Sequence, residues 1–237
     1  MLNYKRIVSL CLILMMITGC SGCSKKEPVL VQYDQTQYTS HVRITVQDFG
    51  VMEFGLMANI APSAVDSFTD LVNRGFFDNK PIYTVIKDFC IFAGANSSEG
   101  IDAEAGIIPD SAASNSGCYP FRGALCITDI GADRKSYSFT VIQSEPEFLR
   151  EMKDLLKYKK VTPGEYYKTA YGVELDEDTL DLFDDHGGTP WLYGHCIVFG
   201  QMTKGEEILD RICSFPVEEG ADFKPMEDII IEKAEIF

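Results

Sequence analysis

The sequence predicts a mainly β, barrel-like domain. From residue 42 onward, short apolar segments recur along the chain and are separated by clusters of Gly, Asn and Asp. These segments are 82–86, 89–92, 124–128, 139–142, 197–199 and 229–231. Short strands divided by turn residues favour an all-β barrel over alternating strand and helix units.

The N-terminal residues predict export and a lipid anchor. Two basic residues precede an apolar run, Ile7–Ile17, which is too short to span a bilayer but fits a signal peptide. The run ends in Ile-Thr-Gly-Cys, which resembles the bacterial lipobox, whose Cys is diacylated after cleavage. We predict a signal peptide over 1–19, a lipidated Cys20 on the extracytoplasmic face of the cell membrane, and a flexible tether over 20–40. An unmodified Cys after an ordinary signal peptide is the alternative.

A hairpin and a helix are predicted to open the barrel. Apolar and polar residues alternate over 42–46, a turn follows at 49–50, and a second run covers 51–56. The helix then begins at Pro62, since proline suits the first helical position, and stops at Gly75.

The stretch over about 146–186 breaks the strand pattern. Its apolar residues recur at spacings of three and four, with a Pro-Gly break at 163–164. Two or three short helices, inserted between barrel strands as a lid or brace, are therefore expected.

Charge and motif content exclude several functions. The chain carries 21 basic against 36 acidic residues and a net charge of −15, which argues against a nucleic-acid partner. Its three His do not stand at metal-ligand spacing, and no P-loop is present, so no metal and no cofactor are predicted.

Six of the eight cysteines remain after Cys11 and Cys20 are assigned to the leader and the lipid anchor. An exported compartment permits disulfides. Four of the six lie inside apolar runs, which is typical of buried thiols: Cys90, Cys126, Cys196 and Cys213. Both possibilities, buried thiols and at least one disulfide, stay open.

Seven motifs follow one another in a known order. They are Ala61–Phe68, Arg74–Asp78, Val85–Phe89, Arg122–Leu125, Gly187–Gly194, Val198–Gln201 and Gly205–Ile212. Together they resemble the cyclophilin family of peptidyl-prolyl isomerases, over about 41–237. The resemblance implies a closed antiparallel eight-stranded barrel with capping helices, and a helical insertion like that of bacterial cyclophilins.

The resemblance also implies where catalysis takes place. Rotation about a peptide bond is opposed by a barrier of about 18–20 kcal/mol that arises from amide resonance. Cyclophilins lower it with an Arg, after Phe-His, that donates toward the prolyl nitrogen. The matching residues are Ile82-Tyr83-Thr84, so Thr84 occupies the catalytic position with a neutral hydroxyl.

Ten further positions are implied as substrate-binding: Phe89, Cys90, Phe92, Thr128, Asp129, Ser138, Thr140, Trp191, Leu192 and Cys196. Three of them, Phe89, Trp191 and Leu192, keep the residue that the family uses. Simple core packing is the alternative for Phe89 and Trp191. Cys90, Cys126 and Cys196 map onto the pocket wall or just behind it.

These residues predict a membrane-anchored cyclophilin-type isomerase with weak or lost catalysis, which assists the folding of exported proteins. Its expected partner is a proline-containing peptide or an exported protein. A non-catalytic binding module on the same scaffold is the alternative. Another guanidinium in the place of the missing one, from Arg122 or Arg134, would overturn the expectation of weak catalysis.

Overall fold

The computed structural model describes residues 30–95, 107, 117–128, 138–218, 220 and 222–237. Within them, eight strands close into one antiparallel barrel, in the order β1-β2-β7-β5-β6-β4-β3-β8. The strands are β1 Ser40–Val46, β2 Gly50–Leu56, β3 Lys80–Ile86, β4 Cys90–Ala93, β5 Ala124–Ile127, β6 Phe139–Ile142, β7 Ile197–Lys204 and β8 Ile229–Ile236. The predicted fold class is confirmed.

Five α-helices accompany the barrel in the described part of the chain: α1 Pro62–Asn73, α2 Pro146–Tyr158, α3 Pro163–Tyr171, α4 Glu177–His186 and α5 Glu206–Cys213. Both α1 and α5 contribute apolar side chains to the main core. As predicted, α1 has Pro62 in its first turn. It ends just before Gly75, whose φ of +66° is the left-handed conformation that glycine adopts without strain.

Three helices, α2 to α4, form the insertion that the apolar spacing predicts. Local signals set their ends: Thr162 and Glu165 form a capping box at the start of α3, and Gly172 is left-handed after its last turn. Asp176 accepts a hydrogen bond from the Thr179 backbone and so caps α4. The insertion packs through a small apolar cluster whose buried members are Leu149 and Phe183 of the insertion and Phe121 of the segment before β5.

The prediction of a flexible tether over 20–40 is wrong for residues 30–40. Gln32 is fully buried, and its side-chain amide donates to the Gln201 side chain at 2.9 Å and to the Tyr119 carbonyl at 3.1 Å. Its side-chain oxygen accepts from the Tyr119 backbone at 2.7 Å. Tyr38 lies so close to Gly55 that a Cβ there would overlap its ring. These contacts fix the segment against the outer face of β2 and β7.

Five cysteines are described, and all are buried free thiols: Cys90, Cys118, Cys126, Cys196 and Cys213. The structure therefore favours buried thiols over a disulfide for the four cysteines in apolar runs. Four of the five, all except Cys213, share one apolar cluster between β4, β5 and β7.

The predicted signal peptide and Cys20 lie outside the described residues. Among the residues that the structure does describe, no helix is long and apolar enough to cross a lipid bilayer. In the same residues, no group of three or more His, Cys, Asp or Glu side chains is arranged to hold a metal ion.

Candidate peptide-binding site

Thr84 lies in a row of side chains that crosses four neighbouring strands. It is opposite Phe92 on β4, Phe92 is opposite Thr140 on β6, and Thr140 is opposite Cys126 on β5. Directly opposed residues in antiparallel strands point to the same face of the sheet. The β-ladder therefore brings together three of the predicted site residues, which are far apart in sequence.

This row points away from the barrel interior. The residues next to it in the three strands β4, β5 and β6 are Ile91, Leu125 and Val141, and all three belong to the main core. Because side chains alternate along a strand, Phe92, Cys126 and Thr140 face outward. Phe92 is partly exposed, whereas Thr84 is 8% exposed.

Tyr83 also belongs to this face, although the sequence interpretation did not include it among the site residues. The ladder between β3 and β4 shifts register between Ile82 and Thr84, so two residues of β3 oppose one residue of β4. The Tyr83 ring lies 6.4 Å from the Phe92 ring, and its hydroxyl hydrogen-bonds the Ser138 side chain. Burial is the largest effect on Tyr83 and raises the pKa of its phenol, which is therefore neutral at neutral pH.

Thr128 joins the row from the end of β5. Its hydroxyl lies 3.2 Å from the Thr140 hydroxyl, and the two share a hydrogen bond. Thr140 is 1% exposed, so it lies beneath the surface of this outward face, which we call the groove. Asp129, the other site residue predicted in this segment, lies outside the described residues.

The Phe89 and Trp191 side chains, which we call the apolar seat, lie beside the row. The Phe89 and Trp191 rings approach to 5.6 Å between centroids, and both side chains are partly exposed. Phe89 and Leu192 pack on the apolar cluster that contains the buried thiols, whereas Trp191 packs on the cluster of the inserted helices. A partly exposed pair of aromatic rings is a surface that a proline ring can contact.

Buried cysteine side chains lie behind this seat. Cys90 and Cys196, both predicted as substrate-binding, are 0% and 3% exposed and lie under the surface of the groove. The Cys196 side chain hydrogen-bonds Cys126, in the next strand of the barrel. Burial is the first cause that raises the pKa of Cys126 and of Cys90 well above the ordinary value, so both are uncharged thiols.

The inserted helices extend the aromatic surface beyond Trp191. Tyr171 and Tyr167 of α3 stack on Trp191, with centroid distances of 6.1 and 6.4 Å. Sequence reasoning placed these tyrosines in a lid or brace and not in the site. The density of tyrosines over 166–171 was the available signal, but which of them faces Trp191 depends on how α3 packs.

Each described arginine is paired with a group other than Thr84. Arg122 is 13% exposed and donates to both carboxylate oxygens of Asp210 on α5, at 2.7 and 2.8 Å. It also donates to the Gln143 carbonyl at 2.5 Å. The other described arginines pair elsewhere: Arg43 with Glu53, Arg74 with Asp70, Arg150 with Glu147, and Arg211 with the Asp48 and Phe49 carbonyls. Arg134 lies outside the described residues.

The described part of the groove is therefore apolar and hydroxyl-lined. Phe89, Phe92 and Trp191 offer partly exposed ring faces, and the neutral hydroxyl groups among them belong to Tyr83, which is partly exposed, and to Thr84 and Thr140, which are buried. Such a surface favours binding of an uncharged, apolar segment of chain. It supplies no guanidinium to stabilise a developing charge or lone pair on a bound amide.

Comparisons with known proteins agree with this architecture. Residues 41–236 match the family model described as cyclophilin type peptidyl-prolyl cis-trans isomerase/CLD. A protein of Staphylococcus haemolyticus named "Putative peptidyl-prolyl cis-trans isomerase" is 29% identical over 190 residues, which cover 79% of this chain and 86% of the relative. A protein of the same name from Staphylococcus aureus is also 29% identical, over 79% of this chain and 87% of its own length.

Solved structures show the same fold. A cyclophilin type peptidyl-prolyl cis-trans isomerase of Cryptosporidium parvum matches with a TM-score of 0.52 and 20% identity, over 84% of this chain and 97% of its own. A second structure of it, in the presence of the dipeptide Ala-Pro, has a TM-score of 0.52 and 18% identity, over 83% and 98% of the two chains. The chain belongs to the cyclophilin-type peptidyl-prolyl cis-trans isomerase family.

Proposed function

We propose that this protein binds proline-containing segments of exported proteins at the outer surface of the cell membrane and catalyses their isomerisation only weakly. The observation that carries the proposal is the position of Thr84. It lies at the β3 end of the outward-facing row, opposite Phe92, at the position that the resemblance assigns to the catalytic Arg.

Binding of proline is supported by the apolar seat. Phe89 and Trp191 keep the family residues, are partly exposed and lie 5.6 Å apart. The Cryptosporidium parvum relative has been solved in the presence of Ala-Pro, which is the smallest ligand that carries an X-Pro bond. The same chemistry suits the seat of the present protein.

Weak catalysis follows from the electrostatics of the groove. Removal of one preorganised donor from an active site costs about 10²- to 10³-fold in rate. The Thr84 hydroxyl is uncharged and short, and Tyr83 places a neutral phenol beside it. The described arginines are held by other partners, as Arg122 is by Asp210.

A lipid anchor on Cys20 would hold the domain where exported chains emerge. Two acyl chains give stable membrane attachment, because each buried methylene contributes about 0.8 kcal/mol. We expect Cys20→Ser to move the protein from the membrane fraction to the soluble fraction, with Cys23→Ser as the matched control that stays with the membrane. Membrane release by both variants, or by neither, would contradict the proposed anchor.

The test of the proposed function measures binding and isomerisation on one peptide. Trp191 is the only Trp of the chain, so its emission during titration with an Ala-Ala-Pro-Ala peptide reports on the seat directly. Exchange between the cis and trans NMR signals of the same peptide measures catalysis. We expect saturable binding with slow catalysed exchange, and absence of binding would overturn the proposal.

The second candidate is a binding module without any catalysis. It is favoured by the same Thr84 and by the uncharged hydroxyls around it. Saturable binding with exchange equal to that of the free peptide would identify this alternative.

A further inference from the structure

Four aromatic side chains form a continuous surface that begins at the apolar seat and leaves it along the inserted helix α3. We name Phe89, Trp191, Tyr171 and Tyr166 the aromatic ribbon. Successive ring centroids are separated by 5.6 Å, 6.1 Å and 5.9 Å. Tyr166 and Tyr171 are also joined by a hydrogen bond between their side chains.

The ribbon is open to a ligand. Tyr171 is 43% exposed, and the other three side chains are partly exposed. A contiguous exposed patch of large apolar side chains often marks a site where a partner binds. Two of the four, Tyr166 and Tyr171, belong to the insertion and not to the barrel.

The ribbon is also held in place. Tyr167, which is 3% exposed, stacks on Trp191 at 6.4 Å and packs α3 against the turn that carries Trp191. The capping box of Thr162 and Glu165 fixes the first turn of α3, and the left-handed Gly172 ends it. A preorganised surface loses little conformational entropy when a ligand binds.

We propose that the aromatic ribbon is a second subsite, which takes a further proline or an aromatic residue of the same extended peptide. This inference rests on the proposed function, because the ribbon is continuous with the seat for the first proline. The two steps from Phe89 to Tyr171 measure 5.6 and 6.1 Å. A polyproline II segment advances about 3.1 Å per residue, so the second residue lies no more than about four positions from the proline.

Recognition of a proline-rich or aromatic-containing segment fits this chemistry. Extended proline-rich peptides dock on aromatic-lined grooves because their polyproline II conformation is already formed before binding. The insertion would then set which exported chains the protein prefers, while the barrel supplies the proline seat.

The experiment compares short and extended peptides on the full chain purified in detergent. The short peptide is Ala-Ala-Pro-Ala, and the extended peptides carry a second proline or a tyrosine three positions before or after the first proline. Peptides of equal length with alanine at that position are the ligand controls. Binding is followed by the emission of Trp191, the single Trp of the chain.

We expect at least one extended peptide to bind about three- to tenfold more tightly than its alanine control, the range expected for one aromatic contact. Tyr171→Ala should abolish this gain, so that the extended peptide binds no more tightly than its alanine control, whereas Tyr171→Phe should keep it. Tyr158→Ala is the matched control, because Tyr158 lies on the same insertion, is 87% exposed and is not part of the ribbon.

The outcomes separate this inference from the proposed function. If the short peptide binds and no extended peptide gains affinity, the second subsite is wrong and the proline seat stands. The subsite is equally wrong if the gain survives in Tyr171→Ala, or is lost in Tyr158→Ala as well. If no peptide binds at all, both proposals fail.

Discussion

Thr84 on β3 lies directly opposite Phe92 on β4, and both face out of the barrel. A neutral hydroxyl and an aromatic ring thus lie opposite each other, at the positions where the family resemblance implies an Arg and a Gln.

Return of a guanidinium to this position should restore catalysis. We expect Thr84→Arg to raise kcat/KM for a proline tetrapeptide by at least about tenfold, since one preorganised donor is worth about 10²- to 10³-fold. The gain stays partial because Tyr83 and Ser138 occupy neighbouring space. Tyr158→Arg adds the same charge at an exposed position of the insertion and serves as control. Unchanged turnover in a Thr84→Arg protein that binds peptide normally would show that the missing cation is not the cause.

The N-terminal segment should contribute to stability through Gln32. Its side chain is fully buried and satisfies Gln201 and both backbone groups of Tyr119. Gln32→Ala removes a hydrogen-bond partner of the Tyr119 N–H and of the Gln201 side-chain oxygen, while the Tyr119 carbonyl keeps the Phe121 N–H, so we expect a loss of about 1–3 kcal/mol in the free energy of unfolding by urea. Gln35→Ala, at an exposed position nearby, should change it by less than about 0.5 kcal/mol. Equal effects of the two substitutions would mean that the segment is not fixed to the barrel.

Alanine substitutions at two glycines should separate the cost of close packing from the cost of backbone conformation alone. Both Gly188 and Gly172 have positive φ, of +112° and +72°. A Cβ on Gly188 would meet the Pro120 carbonyl oxygen and lie 2.6 Å from the Phe121 Cα, whereas a Cβ on Gly172 has no neighbour within 4 Å. We expect Gly172→Ala to cost about 1–2 kcal/mol of unfolding free energy and Gly188→Ala about 3 kcal/mol or more. Similar losses, measured by urea unfolding, would contradict the close approach at Gly188.

The buried thiols should be unreactive in the native protein. Burial raises the pKa of Cys90 and Cys126 well above the ordinary value and that of Cys213 to about 12, so little thiolate forms at pH 8. We expect slow alkylation of the described cysteines in the native state and complete alkylation in urea without reductant, measured peptide by peptide with mass spectrometry. A Cys126 or Cys196 that stays unlabelled in urea until reductant is added would reveal a disulfide instead.

Much of the fold was predictable because its signals are local. The alternation over β1 and β2, the proline that opens α1 and the Pro-Gly pair that opens α3 each act within a few residues. The docking of residues 30–40 was not predictable, because Gln32 is paired with Tyr119 and Gln201, which lie 87 and 169 positions away.

The same contrast applies to the site. Family resemblance located Thr84, Phe92 and Thr140, which the ladder places side by side. Tyr83 was missed because the register shift that turns it toward Phe92 leaves no mark in the sequence. The stacking of Tyr171 on Trp191 depends on how a separate helix packs, and no local pattern encodes that.

The most direct test is the protease-coupled isomerisation assay on the wild-type chain with a proline tetrapeptide. With Thr84 in place of the catalytic Arg, we predict a kcat/KM at least about 10²-fold below that of an ordinary cyclophilin measured beside it. Turnover equal to that of the ordinary cyclophilin would contradict the account, and would mean that another group supplies the donor.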